Sequence, residues 1–141
     1  IHETHILDGK GHWMDREDAA ALPWMAQYKR QTWPKHIIWQ QEAVLRPTFY
    51  WLEAPREELK RGKRVDVTVK GNTIKISRLD YSSLTLYLSN ELLNLSKPVT
   101  VKLRGKKVFK GRVKPSADVY RNSLYLREDY RFATPYRIEV R

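Results

Sequence analysis

Between Val65 and Val113 the chain alternates apolar and polar residues with a period of two. Val65, Val67 and Val69 are separated by Asp66 and Thr68, and Ile74 and Ile76 answer them across Thr73, Lys75 and Ser77. Leu84, Leu86 and Leu88 repeat the pattern, followed by Val99, Val101 and Leu103, then Val108 and Val113. Successive side chains of a strand point to opposite faces, so each run predicts a strand with one apolar face and one wet face. A single strand of this kind leaves its apolar face in water, whereas several stacked strands bury a shared core. Lys70-Gly71-Asn72-Thr73 predicts a tight hairpin, because Gly and Asn tolerate positive φ, and Gly105 predicts another between Leu103 and Val108.

The flanking regions read differently. Thr4 to Leu7 predicts a short strand ending at Asp8, Gly9 and Gly11. Asp15-Arg16-Glu17-Asp18 suits the positive end of a helix dipole, and Ala19, Leu22 and Ala26 fall at helical spacing, so a helix is expected over residues 16 to 29. Pro23 lacks an amide, which predicts a break near Leu22. Lys35 to Gln41 and Thr48 to Ala54 are rich in strand formers and are expected to pair antiparallel and feed into the later sheet. Ser116 is a suitable N-cap for a helix over Ala117 to Arg127, and Tyr136 to Val140 predicts a closing strand. The polar stretch Pro55 to Gly62 marks the expected boundary between a segment 1–55 and a domain 56–141. The predicted fold class is α+β, mainly β: a short helical N-terminal segment, then an antiparallel immunoglobulin-like β-sandwich module with one late helix.

Composition sharpens this picture only in part. A length of 141 residues suits one domain, or one domain with an appendage. The longest apolar run, Ala19 to Ala26, contains Pro23 and falls far short of the roughly 20 residues needed to span a bilayer, so no membrane span is expected. The absence of cysteine excludes disulfides and thiolate metal sites but leaves the compartment open, periplasm and exterior included. Charge is unevenly spread, with 6 Lys/Arg against 7 Asp/Glu in residues 1–55 and 21 against 9 in residues 56–141. A solvated basic surface explains the excess most simply, and a face for a polyanion is the sharper alternative. Arg104 to Lys114 holds six Lys/Arg in a predicted hairpin. No helix-turn-helix, zinc finger or RNP-like aromatic motif accompanies them, which disfavours nucleic acid as partner.

Candidate chemistry is sparse. None of the seven serines sits in a G-x-S-x-G turn, and there is neither a phosphate-cradling glycine loop nor an H-E-x-x-H pair. His2 and His5, two spaced histidines with Glu3 between them, lack the further ligands that complete a metal site, so no metal and no cofactor are expected. His36 opens an apolar strand and reads as structural. His12 follows Asp8-Gly9-Lys10-Gly11, a short loop between a predicted strand and a predicted helix, where a side chain is exposed and yet held. All five tryptophans, Trp13, Trp24, Trp33, Trp39 and Trp51, precede Ala54. They predict a local aromatic core, with Trp13, Trp24 and Trp51 as candidate platforms for sugar rings.

Gly9-Lys10-Gly11-His12-Trp13-Met14, then Asp18-Ala19-Ala20-Ala21-Leu22-Pro23-Trp24-Met25 and Phe49-Tyr50-Trp51-Leu52, resemble the C-terminal end of bacterial serine esterases or peptidases of α/β-hydrolase type. Leu95 to Val101 and Gly105 to Gly111 resemble the β-rich accessory domain that follows in that family. The resemblance implies that His12 is the triad histidine, the general base for a serine that lies earlier in such chains. It assigns no carboxylate among Asp8, Asp15 and Asp18. It also implies an upstream hydrolase domain as partner and no triad-dependent activity in this polypeptide alone. Apolar surface left uncovered by such a domain predicts self-association into a homodimer. The alternative from another class is a carbohydrate-binding or other interaction module, with a polysaccharide as partner.

Overall fold

The computed structural model describes residues 4–6, 8–12 and 14–141, and the chain divides into two compact units, 1–31 and 32–141. The two sheets run across Pro55, since strands that precede it pair with strands that follow it.

Among the described residues nine strands form two sheets. The first holds β1 (His36–Gln40), β4 (Arg64–Lys70), β5 (Thr73–Leu79), β7 (Val99–Leu103) and β8 (Lys106–Gly111), in the spatial order β1-β4-β5-β7-β8. The second holds β2 (Thr48–Phe49), β3 (Leu52–Glu53), β6 (Leu84–Leu88) and β9 (Tyr136–Val140), in the order β2-β3-β6-β9. The segments around β1 and β2–β3 therefore do not pair with each other, as their sequences suggested, but enter opposite sheets. Gln41 makes that crossing possible. It is buried, its amide donates to the Arg46 carbonyl at 2.7 Å, and its side-chain oxygen accepts from the Arg46 amide at 3.0 Å, so the exposed connecting loop is pinned at both ends.

The two sheets close on one core. Val65, Val67, Ile74 and Val101 from the first sheet and Leu52, Leu84, Leu86 and Leu88 from the second are all fully buried. Each such side chain contributes about 1.5–3 kcal/mol relative to exposure. The alternation seen in the sequence is the alternation of burial in β4, whose valines are inside and whose Thr68 and Lys70 are outside. The fold is accordingly α+β and mainly β, with a two-sheet sandwich and one late helix. One pair departs from the antiparallel expectation: β5 and β7 run parallel, with Ile74 beside Val101. The chain reaches that position by leaving β5 for β6 in the other sheet and returning through residues 89–98.

Two turns have the backbone their residues require. Gly71 has φ +55 in the β4–β5 hairpin. Arg104 and Gly105 both have positive φ (48 and 83) between β7 and β8, the combination of a type I′ turn. Asn72 serves a different purpose from the one its turn position suggests. Its side chain donates to the Asn94 carbonyl at 2.7 Å and accepts from the Asn94 amide at 2.9 Å, fastening the return loop to the hairpin.

The late helix, α2 (Ala117–Arg127), has the predicted ends. The Ser116 hydroxyl accepts from the Val119 amide at 3.4 Å, and Glu128 closes the helix in the left-handed conformation. Ser123 is buried, accepts from the Thr134 amide at 2.9 Å and lies within donating distance of the Thr134 carbonyl at 3.1 Å, which ties α2 to the segment leading into β9.

In the other unit, a 3-10 segment spans Met14–Ala20 and α1 spans Ala21–Ala26. Residues 4–6 are not in a strand, and Leu7 lies outside the described residues. Pro23 falls in the first turn of α1, where the amide it lacks would have no partner in the helix, so it starts this helix instead of breaking it. The kink comes earlier, at Asp15 and Arg16, whose φ values are 51 and 66.

Candidate functional site

The loop that precedes the 3-10 segment holds the one residue to which the sequence assigns a catalytic role. Gly9 has φ +71, which allows the chain to turn at Asp8-Gly9, and His12 follows on an exposed turn. Lys10 ties the loop to the helical segment, with Nζ 2.6 Å from Glu17 and 3.1 Å from Asp15. The Glu17 and Asp15 carboxylates hold the Lys10 ammonium above the ordinary lysine value. The pairs are exposed, so each steadies the loop only modestly. Asp15 and Glu17, which sequence spacing leaves near His12, thus have a partner in Lys10.

Around this loop the unit's described residues form no interior. Among its described residues none is buried, and Ile6 (80% exposed), Leu22 (66%) and Met25 (51%) present apolar side chains to solvent. Trp24 is half-buried, its ring 5.0 Å from that of Tyr28 one helical turn later. Trp13, the second candidate platform, lies outside the described residues, as do His2 and Glu3.

Trp51, the third candidate platform, is a core residue. Its side chain is fully buried in the other unit, and its indole N–H donates to the Pro34 carbonyl at 2.9 Å. It has no face left for a sugar ring. Trp33 and Trp39 are buried as well, Trp39 stacking on Phe49 at 5.9 Å and on Tyr81 at 6.3 Å. Three of the tryptophans are therefore the local aromatic core that their clustering suggested.

The unit 32–141 has a groove of about 660 Å³ over the second sheet, lined among others by Glu53, Ser82, Thr85, Arg137, Glu139 and Arg141. No histidine lines it. Ser82 is engaged by Glu58, which accepts from both its hydroxyl and its amide, and these bonds together with Lys63 hold the Glu58 carboxyl below the usual carboxylate value. Arg141 pairs with Glu139 at 3.0 Å. Of the groove's two serines, Ser82 and Ser83, the first is committed to Glu58, and with no histidine in the lining no Ser–His pair is formed there.

A part-buried network lies beside it. Arg127 of α2 donates to the Leu52 carbonyl at 3.0 Å and stands over the rings of Tyr87 (5.5 Å) and Phe132 (5.7 Å). Tyr87 donates to Glu53 at 2.8 Å. Burial, and then the bond to Glu53, push the Tyr87 phenol up to about 12, and burial lowers Arg127. Sequence pattern gives no hint of this cluster, because it joins residues from β3, β6 and α2. It fastens the helix to the sheet.

Among the described residues no group of three or more His, Asp or Glu is arranged to hold a metal ion, and no helix is long and apolar enough to cross a membrane. Comparison with protein-family models, with curated proteins and with solved structures finds no match for this chain.

Proposed function

We propose that this chain is the C-terminal portion of a serine hydrolase acting on ester or peptide bonds, with His12 as the triad histidine and residues 32–141 as its accessory domain. One observation carries the reading beside the resemblance of Gly9 to Met14 to the hydrolase histidine loop. His12 is exposed on a loop anchored by Lys10, within a unit whose apolar residues Ile6, Leu22 and Met25 are uncovered. An exposed imidazole in a unit with uncovered apolar residues suits a site completed by a further protein body. In that site the imidazole takes the proton of a serine hydroxyl as it attacks the carbonyl, then returns it to the leaving group. An imidazole without nucleophile, orienting carboxylate and oxyanion donors lacks the cooperation on which a triad depends.

The test uses two polypeptides: this chain, and the same chain together with whatever coding sequence precedes it. On an activated ester this chain is expected to show no turnover that depends on His12. The longer polypeptide is expected to react with a fluorophosphonate probe, and His12→Ala is expected to lower its kcat by about 10⁴-fold or more. Turnover by this chain that disappears in His12→Ala contradicts the proposal. So does a longer polypeptide whose activity is indifferent to that substitution.

A further inference from the structure

The outer face of the first sheet carries a charge arrangement that folding does not explain. Lys75 of β5 stands directly beside Lys102 of β7, and Lys102 directly beside Lys107 of β8. Adjacent strands lie about 4.8 Å apart, so three ammonium stems rise side by side. Like charges placed opposite one another across strands destabilise a sheet. A second row runs parallel to the first: Lys70 beside Thr73, Thr73 beside Thr100, Thr100 beside Lys110. Thr68 extends the first row next to Lys75. The residues between these positions, Val69, Ile74, Ile76 and Val101, are buried, which fixes the lysines and threonines on the solvent side.

No acidic residue occurs between Glu91 and Asp118, a stretch that holds eight Lys/Arg. None of the five lysines of the two rows makes an ion pair among the described residues, whereas Lys10, Lys63, Arg64 and Arg78 elsewhere are each paired. The nearest carboxylate on the same face of β4, Asp66, is taken up by Arg64 at 2.6 Å. Register, not composition alone, concentrates the unpaired charge.

We infer that this face binds an acidic polysaccharide. The rows set ammonium groups among threonine hydroxyls, which matches a polymer that presents carboxylates among its own hydroxyls. The five cations are all lysines, although the chain has 14 arginines against 13 lysines, so the bidentate fork suited to phosphate is missing. No Phe, Tyr or Trp ring stands in either row to stack on a base, the one ring at its end being the His36 imidazole beside Thr68, and no apolar side chain stands in the rows to enter a lipid layer. The inference concerns the unit 32–141 and stands independently of the role proposed for His12.

The test is binding of the full chain to polygalacturonate, with dextran, duplex DNA and anionic phospholipid vesicles as comparison ligands at matched charge where they carry it. Polygalacturonate is expected to bind in a salt-sensitive manner and dextran not at all. Combining Lys75→Gln, Lys102→Gln and Lys107→Gln is expected to weaken binding about tenfold, whereas Lys60→Gln, Arg121→Gln and Arg137→Gln together, outside the rows, leave most of it. The triple-row variant is expected to melt no lower than the parent, because the substitutions remove repulsion, so a loss of binding is separable from a loss of fold. Binding unaffected by the row substitutions, equal binding of dextran, or tighter binding of DNA or vesicles overturns the inference.

Discussion

The two units of this chain use the same residue types to opposite ends. In residues 32–141 Trp51 is fully buried, with its indole N–H satisfied by Pro34, while in residues 1–31 Trp24 lies against Tyr28 and stays half-exposed. Leu84 and Leu86 are sealed in a core, while Leu22 is 66% exposed. The difference teaches where stability is housed. A packed two-sheet unit can hold its own fold, and a loop-and-helix unit whose described residues are all outside a core can present a side chain but adds little to stability.

The largest effect that could break this comparison comes from the tryptophans. Trp51→Ala is expected to cost about 3–5 kcal/mol in urea unfolding, from lost burial and an abandoned Pro34 carbonyl. Trp24→Ala is expected to change the same transition by less than about 0.5 kcal/mol. Equal effects would show that the units share one core.

Next in size is the response to alkali. Tyr87 titrates at about 12 when folded, against about 10 when unfolded, so folding favours its neutral phenol. The contribution is fully present below pH 10 and is lost as pH rises through 12. A shift of about 2 units corresponds to at most about 2.7 kcal/mol. Unfolding free energies measured from pH 9 to 12 should fall, and Tyr87→Phe should flatten the part of that decline due to this group.

Ser123→Ala leaves the Thr134 amide without its buried acceptor and is expected to cost about 1–3 kcal/mol. Ser116→Ala, which removes only the cap of α2, should cost about 1 kcal/mol. Both are read by the same denaturation, and both should leave the 1–31 unit unchanged.

Much of this fold is legible in sequence, for a physical reason. β4, β5, β6, β7 and β9 are recognisable because one face of each is buried, which forces the period of two. The cap at Ser116 is equally local. What is illegible depends on distance along the chain. The parallel contact of β5 with β7, the separation of β1 from β2–β3 into different sheets, and the Arg127–Tyr87–Glu53 cluster all join residues with no local signal of each other. The lysine ladder is the same kind of case: its cations are obvious in composition, but only the register brings Lys75, Lys102 and Lys107 side by side. Pro23 shows the reverse error, since a proline read as a breaker is harmless in the first turn of a helix. At the candidate site, loop residues Gly9 to His12 are recognisable through their glycines, whereas the exposure of the described residues around them is a property of packing that no local pattern carries.

Native-state hydrogen exchange tests the division of labour most directly. The account predicts that amides of β4, β5, β6 and β7 exchange only through global unfolding, while those of Met14–Ala26 exchange orders of magnitude faster, by local opening. Protection of Met14–Ala26 equal to that of the strands would contradict it, because the histidine loop would then belong to a finished core.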